Sequence, residues 1–371
     1  MTKKNFSVTV IGFPYTNKDN SGRGIDRYLY CLINNLQKNG VNFQLLDEGI
    51  VKGNIFQLVH STIHILVKLL KSKSSLYHAV DPIGAILALF LLKRPLITTI
   101  HDTIPLSSNS KLIGKFRFPF LKILMMVSLR LSDKIIVPFD ITKNELSNRY
   151  GVIPDKITKV NYGIDLPLLT ESKEKIVARK GEEIFRILFI GSSNPIARGL
   201  DVVIKVYEKI SISNHKFSLT IIGNLTEVNN YISKHPQLNG DSNIEIFDFI
   251  PEQGIYSFMK TFDVFLYPSS LGFSYLAIQA MYMGLPTIVA DARDMFEYIK
   301  DGGLICQKDS INCYVDSITR IIEDQEFRYN LIKRGHGKSM QFSGNKMALD
   351  TIKVYKEIIN DRSILKSHTL R

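Results

Sequence analysis

The stretch that decides the fold runs Asp263-Val264-Phe265-Leu266-Tyr267-Pro268-Ser269-Ser270-Leu271-Gly272-Phe273-Ser274-Tyr275-Leu276-Ala277-Ile278-Gln279-Ala280-Met281-Tyr282-Met283-Gly284-Leu285-Pro286-Thr287-Ile288-Val289-Ala290. An apolar run, a turn of small residues, a helical segment, a Gly-Leu-Pro stop and a second apolar run follow one another, which predicts strand, helix and strand. Working outward, the same rhythm predicts further strands at 186–191, 217–223 and 243–247, and in the first half at 7–12, 42–46, 76–79, 96–101 and 134–138. Segments of helical period fill the gaps. Apolar strands alternating with helices imply parallel sheets covered on both faces. A polar stretch at 175–183, holding Lys180-Gly181-Glu182-Glu183, interrupts the rhythm before it restarts.

The fold class expected is therefore α/β, with two tandem Rossmann-like, doubly wound domains facing a cleft. Their expected extents are 1–165 and 166–345, followed by an amphipathic C-terminal helix in 346–371. With 371 residues, 45% hydrophobic and 22% charged, the chain can bury two such cores and is not a disordered or collagen-like sequence. Cys31, Cys306 and Cys313 match no zinc or redox spacing and read as buried thiols in a reducing compartment. Lys3-Lys4 leads into an apolar stretch stopped by Pro14, which is not a signal peptide, and the longest uncharged apolar run, 83–92, is about half of the ~20 residues a spanning helix needs. The expected location is cytoplasmic.

Charge is unevenly placed. Residues 1–165 hold 22 Lys+Arg against 11 Asp+Glu, whereas residues 166–371 hold 25 against 24. The first half thus suits an anionic partner, whether membrane leaflet, lipid phosphate or nucleic acid. The plain alternative is a Lys-rich solvated surface.

In open parallel sheets ligands bind at the carboxyl ends of strands, so the residues just after each strand are the candidates. After the first strand, Ser21-Gly22-Arg23-Gly24-Ile25-Asp26-Arg27-Tyr28 feeds a helix; Gly22 and Gly24 lie where free amides and a helix dipole suit a phosphate or carboxylate. His101-Asp102 ends the strand at 96–101, placing a titratable ring beside a carboxylate that can fix its tautomer, suited to proton transfer or to polarising an oxygen. A hydrogen-bonded structural histidine is the alternative there, and the expected role of His78. Arg198 sits where another helix begins and suits a phosphate. Gly272, Phe273, Ser274 and Tyr275 make a second anion cradle, with Gln279 one turn inside the helix.

Taken in order, Gly24-Ile25-Asp26-Arg27-Tyr28, Thr98-Thr99-Ile100-His101-Asp102, Asn161-Tyr162-Gly163-Ile164-Asp165, Arg198-Gly199, Tyr267-Pro268-Ser269, Gly272-Phe273 and Ala280-Met281-Tyr282-Met283-Gly284-Leu285-Pro286 resemble glycosyltransferase family 4 (group 1), of the GT-B fold, over nearly the whole chain. The resemblance implies a retaining enzyme that moves a sugar from a nucleotide diphosphate sugar to an acceptor hydroxyl, with no metal or other cofactor. The donor would lie mainly on the second domain and the acceptor on the first. It places His101 against the transferred sugar, Arg198 and the amides from Gly272 to Tyr275 on the diphosphate, Gln279 on the ribose and the Gly22 to Gly24 loop near the phosphates or acceptor. It also implies a C-terminal helix crossing back to the first domain. The family usually has two glutamates where this chain has Leu271 and Gln279, and an Arg and a Lys where it has Ser192 and Arg198. Leu271 cannot hold a sugar hydroxyl, so either Ser269 or Ser270 orients the sugar, or the chain is a nucleotide-sugar-binding scaffold that no longer catalyses transfer. Loss of two carboxylates also suits an anionic or deoxy sugar.

Residues 111–130 combine Lys111, Lys115, Arg117 and Lys122 with Phe116, Phe118 and Phe120. As a helix this would suit the headgroup layer of an anionic membrane, extended by Lys68, Lys71 and Lys73; the competing reading is a core helix interrupted by Gly114 and Pro119. The expected acceptor is thus a glycan or a lipid-linked saccharide at the inner face of the membrane. A nucleic-acid partner is not expected, because no nucleic-acid module is present.

Overall fold

A computed structural model of the chain describes residues 6–12, 24–47, 55–103, 117–166, 184–213, 215–238, 240–250 and 252–369. The chain forms two compact units, Met1–Asp165 with Ser343–Arg371, and Leu166–Phe342. The first is built on β1 (Ser7–Ile11), β2 (Asn42–Leu46), β3 (Leu76–Ala79), β4 (Leu96–Thr99), β5 (Lys134–Val137) and β6 (Ile157–Lys159), joined by α1 (Gly24–Lys38), α2 (Ile55–Lys71), α3 (Pro82–Phe90), α4 (Arg117–Leu131) and α5 (Asp140–Tyr150). All six strands are parallel, in the order β2-β1-β3-β4-β5-β6. Every residue of β3 and β4 is buried, as strands covered by helices on both faces require. The polar residues among them, His78, Thr98 and Thr99, are therefore hydrogen-bonded, His78 to Thr99 across the sheet and to Tyr355, and Thr98 to Ser132.

The second unit repeats the plan with β7 (Ile184–Ser192), β8 (Lys216–Gly223), β9 (Ile244–Phe247), β10 (Val264–Tyr267), β11 (Thr287–Ala290) and β12 (Leu304–Cys306). Its helices are α6 (Leu200–Ile210), α7 (Leu225–Ile232), α8 (Glu252–Met259), α9 (Tyr275–Tyr282), α10 (Met295–Ile299), α11 (Ile311–Glu323) and α12 (Gln325–Ser339). The strands are again parallel, ordered β12-β11-β10-β7-β8-β9. The chain steps outward from β7 to β9 and then returns to the other side of β7 as β10. That reversal, between β7 and β10, is the switch point at which an open sheet leaves a crevice at its carboxyl edge; in the first unit it falls between β1 and β3.

An ion pair ties α12 to this sheet. Asp263, just before β10, accepts from Arg328 Nη2 and from the backbone amide of Arg186 on β7, each at 2.9 Å. Both side chains are largely buried.

The last helix, α13 (Gly344–Thr369), belongs to the first unit. Its seat is the Asn161–Asp165 segment: Gly344 donates its amide to Ile164 O at 2.8 Å, and Asn35 of α1 donates to Asp165 Oδ1 at 2.6 Å. A Cβ on Gly163 would stand 2.7 Å from Gly344 Cα, so the glycine permits the close approach.

One expectation is corrected. Cys306 and Cys313 are paired in a disulfide, with Cα atoms 5.7 Å apart, and Cys31 alone is a free, buried thiol. The turn from the end of β12 into the first turn of α11 brings together two cysteines whose separation in sequence matches no motif.

Candidate active site

At the switch point of the second unit, β7 ends in Gly191-Ser192, and a turn leads to Gly199, whose φ of +96° caps α6. A Cβ at this glycine would lie 2.6 Å from the carbonyl oxygen of Pro268, so conformation and space both require glycine here. This contact lays the Arg198-Gly199 turn against the end of β10. Arg198 Nη1 donates to Tyr267 Oη, and the guanidinium carbon lies 6.0 Å from the centre of that ring. Tyr267 is itself buried, so the arginine has a fixed base. The turn is closed on itself, Leu200 N bonding to Pro195 O and Gly199 N to Ile196 O, each at 3.0 Å.

The loop from β10 to α9 completes the edge. Ser269 is buried and its Oγ accepts from Leu271 N at 3.2 Å, so it holds the turn. Leu271 itself is 46% exposed. Gly272 takes φ +86°, Ser274 is extended, and the Ser274 side chain makes no cap hydrogen bond to α9. The positive end of that helix follows the carboxyl end of β10, the strand next to β7. The Phe273 ring packs edge-on between Tyr275 and Tyr298, with centroids 4.8 and 4.6 Å away. Gln279 is only 2% exposed; its Nε2 donates to Tyr256 Oη at 2.8 Å, and its Oε1 is buried without a hydrogen-bond partner.

A residue that sequence reading missed joins this loop. Asp294, in the turn after β11, places Oδ2 3.2 Å from the Cβ position of Gly272, with Oδ1 3.5 Å from Arg293 Nε. The available signal was its place just beyond the carboxyl end of a predicted strand.

In the first unit, His101 follows β4 with its ring between Tyr28 and Tyr162, centroids 5.0 and 5.8 Å away. Its Nε2 is 2.8 Å from Val80 O and its Nδ1 2.7 Å from Tyr162 Oη. A carbonyl only accepts, so Nε2 carries the proton and Nδ1 accepts from the Tyr162 hydroxyl. The tautomer is therefore set by Val80, where the sequence suggested the neighbouring Asp102, which is half-buried. Burial lowers His101 to about 4, so the ring is neutral at pH 7. Behind it, Tyr28 Oη meets Thr99 Oγ1 at 3.2 Å, Thr99 meets His78 Nε2 at 2.9 Å, and His78 Nδ1 meets Tyr355 Oη of α13 at 2.6 Å. Burial lowers His78 to about 3.

Both rings bind protons less readily folded than unfolded. The stability they confer is thus present above their unfolded pKa of ~6.5 and is lost as pH falls through that value toward the folded ones. From pH 7 to pH 5 each histidine should account for a loss of about 2 kcal/mol. We expect His78→Gln to remove one such share. Thermal or urea unfolding at both pH values should show the variant less acid-sensitive than the natural protein; equal sensitivity would refute the assignment.

Gly24 opens α1 and is exposed, and Lys122 is exposed on α4. Gly22, Lys111 and Lys115 lie outside the described residues, as does the side chain of Arg117 at the start of α4. Among the described residues no group of three His, Cys, Asp or Glu is placed to hold a metal ion, and no helix is long and apolar enough to cross a membrane.

Two doubly wound parallel units, one presenting an arginine and a helix start at the strands of its switch point, have the build of a GT-B glycosyltransferase. The sequence profile described as "Glycosyl transferases group 1" matches residues 170–338, and that of "Glycosyltransferase Family 4" matches residues 22–167. An uncharacterized glycosyltransferase of Methanocaldococcus jannaschii is 26% identical over 330 residues, 86% of this chain and 80% of that protein. Sucrose-phosphate synthase from Thermosynechococcus elongatus shares the fold with a TM-score of 0.75 at 15% identity, covering 96% of this chain and 100% of the other. Anabaena HepE, solved with UDP and glucose, does so with a TM-score of 0.69 at 14% identity, covering 95% and 99%. The chain belongs to the group 1 glycosyltransferases.

Proposed function

We propose that the protein is a retaining, metal-independent transferase that moves a sugar from a nucleotide diphosphate sugar to a hydroxyl of a glycan or lipid-linked saccharide, at the cytoplasmic face of a membrane. The observation that carries the reading is the Arg198 guanidinium, hydrogen-bonded to buried Tyr267 at the switch point of the second unit, with the start of α9 following the same strand. A diphosphate suits that pairing of cation and helix amides. The bond between the anomeric carbon and the terminal phosphate oxygen breaks, its electron pair leaves with the nucleoside diphosphate, and Arg198 with the Gly272 to Tyr275 amides offsets the growing charge. The acceptor oxygen forms the new bond on the same face as the departing phosphate, which takes up the hydroxyl proton. In this reading Gln279 Oε1 accepts from the ribose. Asp294 supplies the sugar-binding carboxylate that position 271 lacks. HepE, a structural neighbour, was solved with UDP-glucose.

Exposed Leu271 favours the second reading, a binding scaffold without turnover. A panel of nucleotide diphosphate sugars, incubated in EDTA with glycan and lipid-extract acceptors, distinguishes the two. Transfer with the donor's anomeric configuration kept in the product, read by NMR, and altered donor preference in Asp294→Asn are expected. Nucleotide binding with no transfer to any acceptor would establish the scaffold, and an inverted product or dependence on a metal would refute the mechanism.

A further inference from the structure

Helix α2 carries an exposed apolar stripe that the core does not use. Phe56, Val59, Ile63, Val67 and Leu70 are spaced by three and four residues, which at 100° per residue places them within about 80° of one another on the helix wheel. All five are exposed, from 44% at Val67 to 82% at Phe56. The opposite face, Ser61, Ile65, Leu69 and Ser72, is the buried one, and Ile65 and Leu69 pack with Leu46 and Tyr77 in the core. Alongside the stripe, displaced by one residue, run exposed His60, His64, Lys68 and Lys71, with exposed Lys73 just beyond. No Asp or Glu occurs from residue 49 to residue 80. The helix is also anchored: Lys93 donates to Leu70 O and Ser72 O at 3.1 and 2.9 Å, and Tyr77 Oη to Ser72 O at 3.0 Å.

We propose that this face of α2 is the surface by which the protein docks on an anionic lipid leaflet. It deepens the membrane part of the functional reading above by assigning the surface to α2. Five apolar side chains on a helix about 25 Å long match the geometry of a helix lying in the interfacial plane, and the flanking cations reach the anionic headgroups while their stems cover apolar surface. A second copy of the same face would bring two cationic flanks together. The unbroken absence of carboxylates along the segment favours phospholipid over a protein partner of mixed charge.

The test is flotation of the full-length protein with vesicles of phosphatidylcholine alone or with 30% phosphatidylglycerol, without any sugar donor, so that it is independent of transfer. Binding to the anionic vesicles should exceed binding to the neutral ones at least tenfold and should weaken with salt. Phe56→Gln with Ile63→Gln should lower it at least tenfold, and Lys68→Gln and Lys71→Gln about fivefold each. These positions are exposed, so the thermal midpoint should not move. Anionic binding equal to neutral binding, or double variants that bind as the natural protein does, would overturn the proposal. It would equally fall if the variants dissolved a dimer while vesicle binding persisted.

Discussion

Replacing Arg198 by alanine is expected to lower kcat/KM for the nucleotide sugar by roughly 10²- to 10³-fold, the loss typical when one preorganised partner of a developing anion is removed. The guanidinium is held by the Tyr267 hydroxyl and by the Gly199 turn packed on Pro268, so it needs no reorganisation when charge develops on the diphosphate. The larger part of the effect should fall on kcat, because the leaving group is more anionic at the transition state than in the bound donor. Arg198→Lys keeps the charge, loses the planar fork and should retain an intermediate activity. Tyr267→Phe leaves the arginine without its anchor and should cost less than the alanine. Steady-state kinetics with the donor from the screen settles it. A change of less than about threefold in Arg198→Ala would refute its assignment to the diphosphate.

The second large effect concerns stability. Asp263→Ala should destabilise the protein by about 3–5 kcal/mol, because it strands the largely buried Arg328 guanidinium and frees the Arg186 amide. For a unit of this size that is a fall of about 10 °C in Tm. Asp263→Asn keeps a carbonyl acceptor and should cost less. Combining Asp263→Ala with Arg328→Met removes the stranded charge and should recover much of the loss, since an ion pair replaced whole is often close to neutral. Calorimetry of the natural protein, Asp263→Ala, Arg328→Met and the double variant gives the cycle. If Asp263→Ala costs under 1 kcal/mol, or the double substitution recovers nothing, the pair does not hold α12 to the sheet.

Much of this architecture was legible because the central strands of a parallel sheet are buried on both faces and stand out as unbroken apolar runs. Ile97 and Thr98 or Phe265 and Leu266 need no partner to be recognised. The small-residue turn before α9 and the Gly-Leu-Pro stop after it mark that helix by backbone chemistry alone. Strands β6 and β12 escaped notice because they are three-residue edge strands, partly exposed and without a run to detect.

What tertiary structure decided is which distant groups meet. Arg198 and Tyr267, 69 residues apart, become one surface because β10 pairs beside β7, an order that no local pattern encodes. Asp294 joins Gly272, Cys306 joins Cys313, and Val80 O accepts a hydrogen bond from His101 Nε2, for the same reason: adjacency across strands and turns is a property of the assembled sheet. Helix α2 makes the point most clearly. Its sequence, Ile-Phe-Gln-Leu-Val-His-Ser-Thr-Ile-His-Ile-Leu-Val-Lys-Leu-Leu-Lys, is apolar on more than one face, and periodicity does not say which of them turns inward. The fold spends Ile65 and Leu69 on the core and leaves Val59, Ile63 and Val67 to face outward, because a single helix can bury only one side against a sheet.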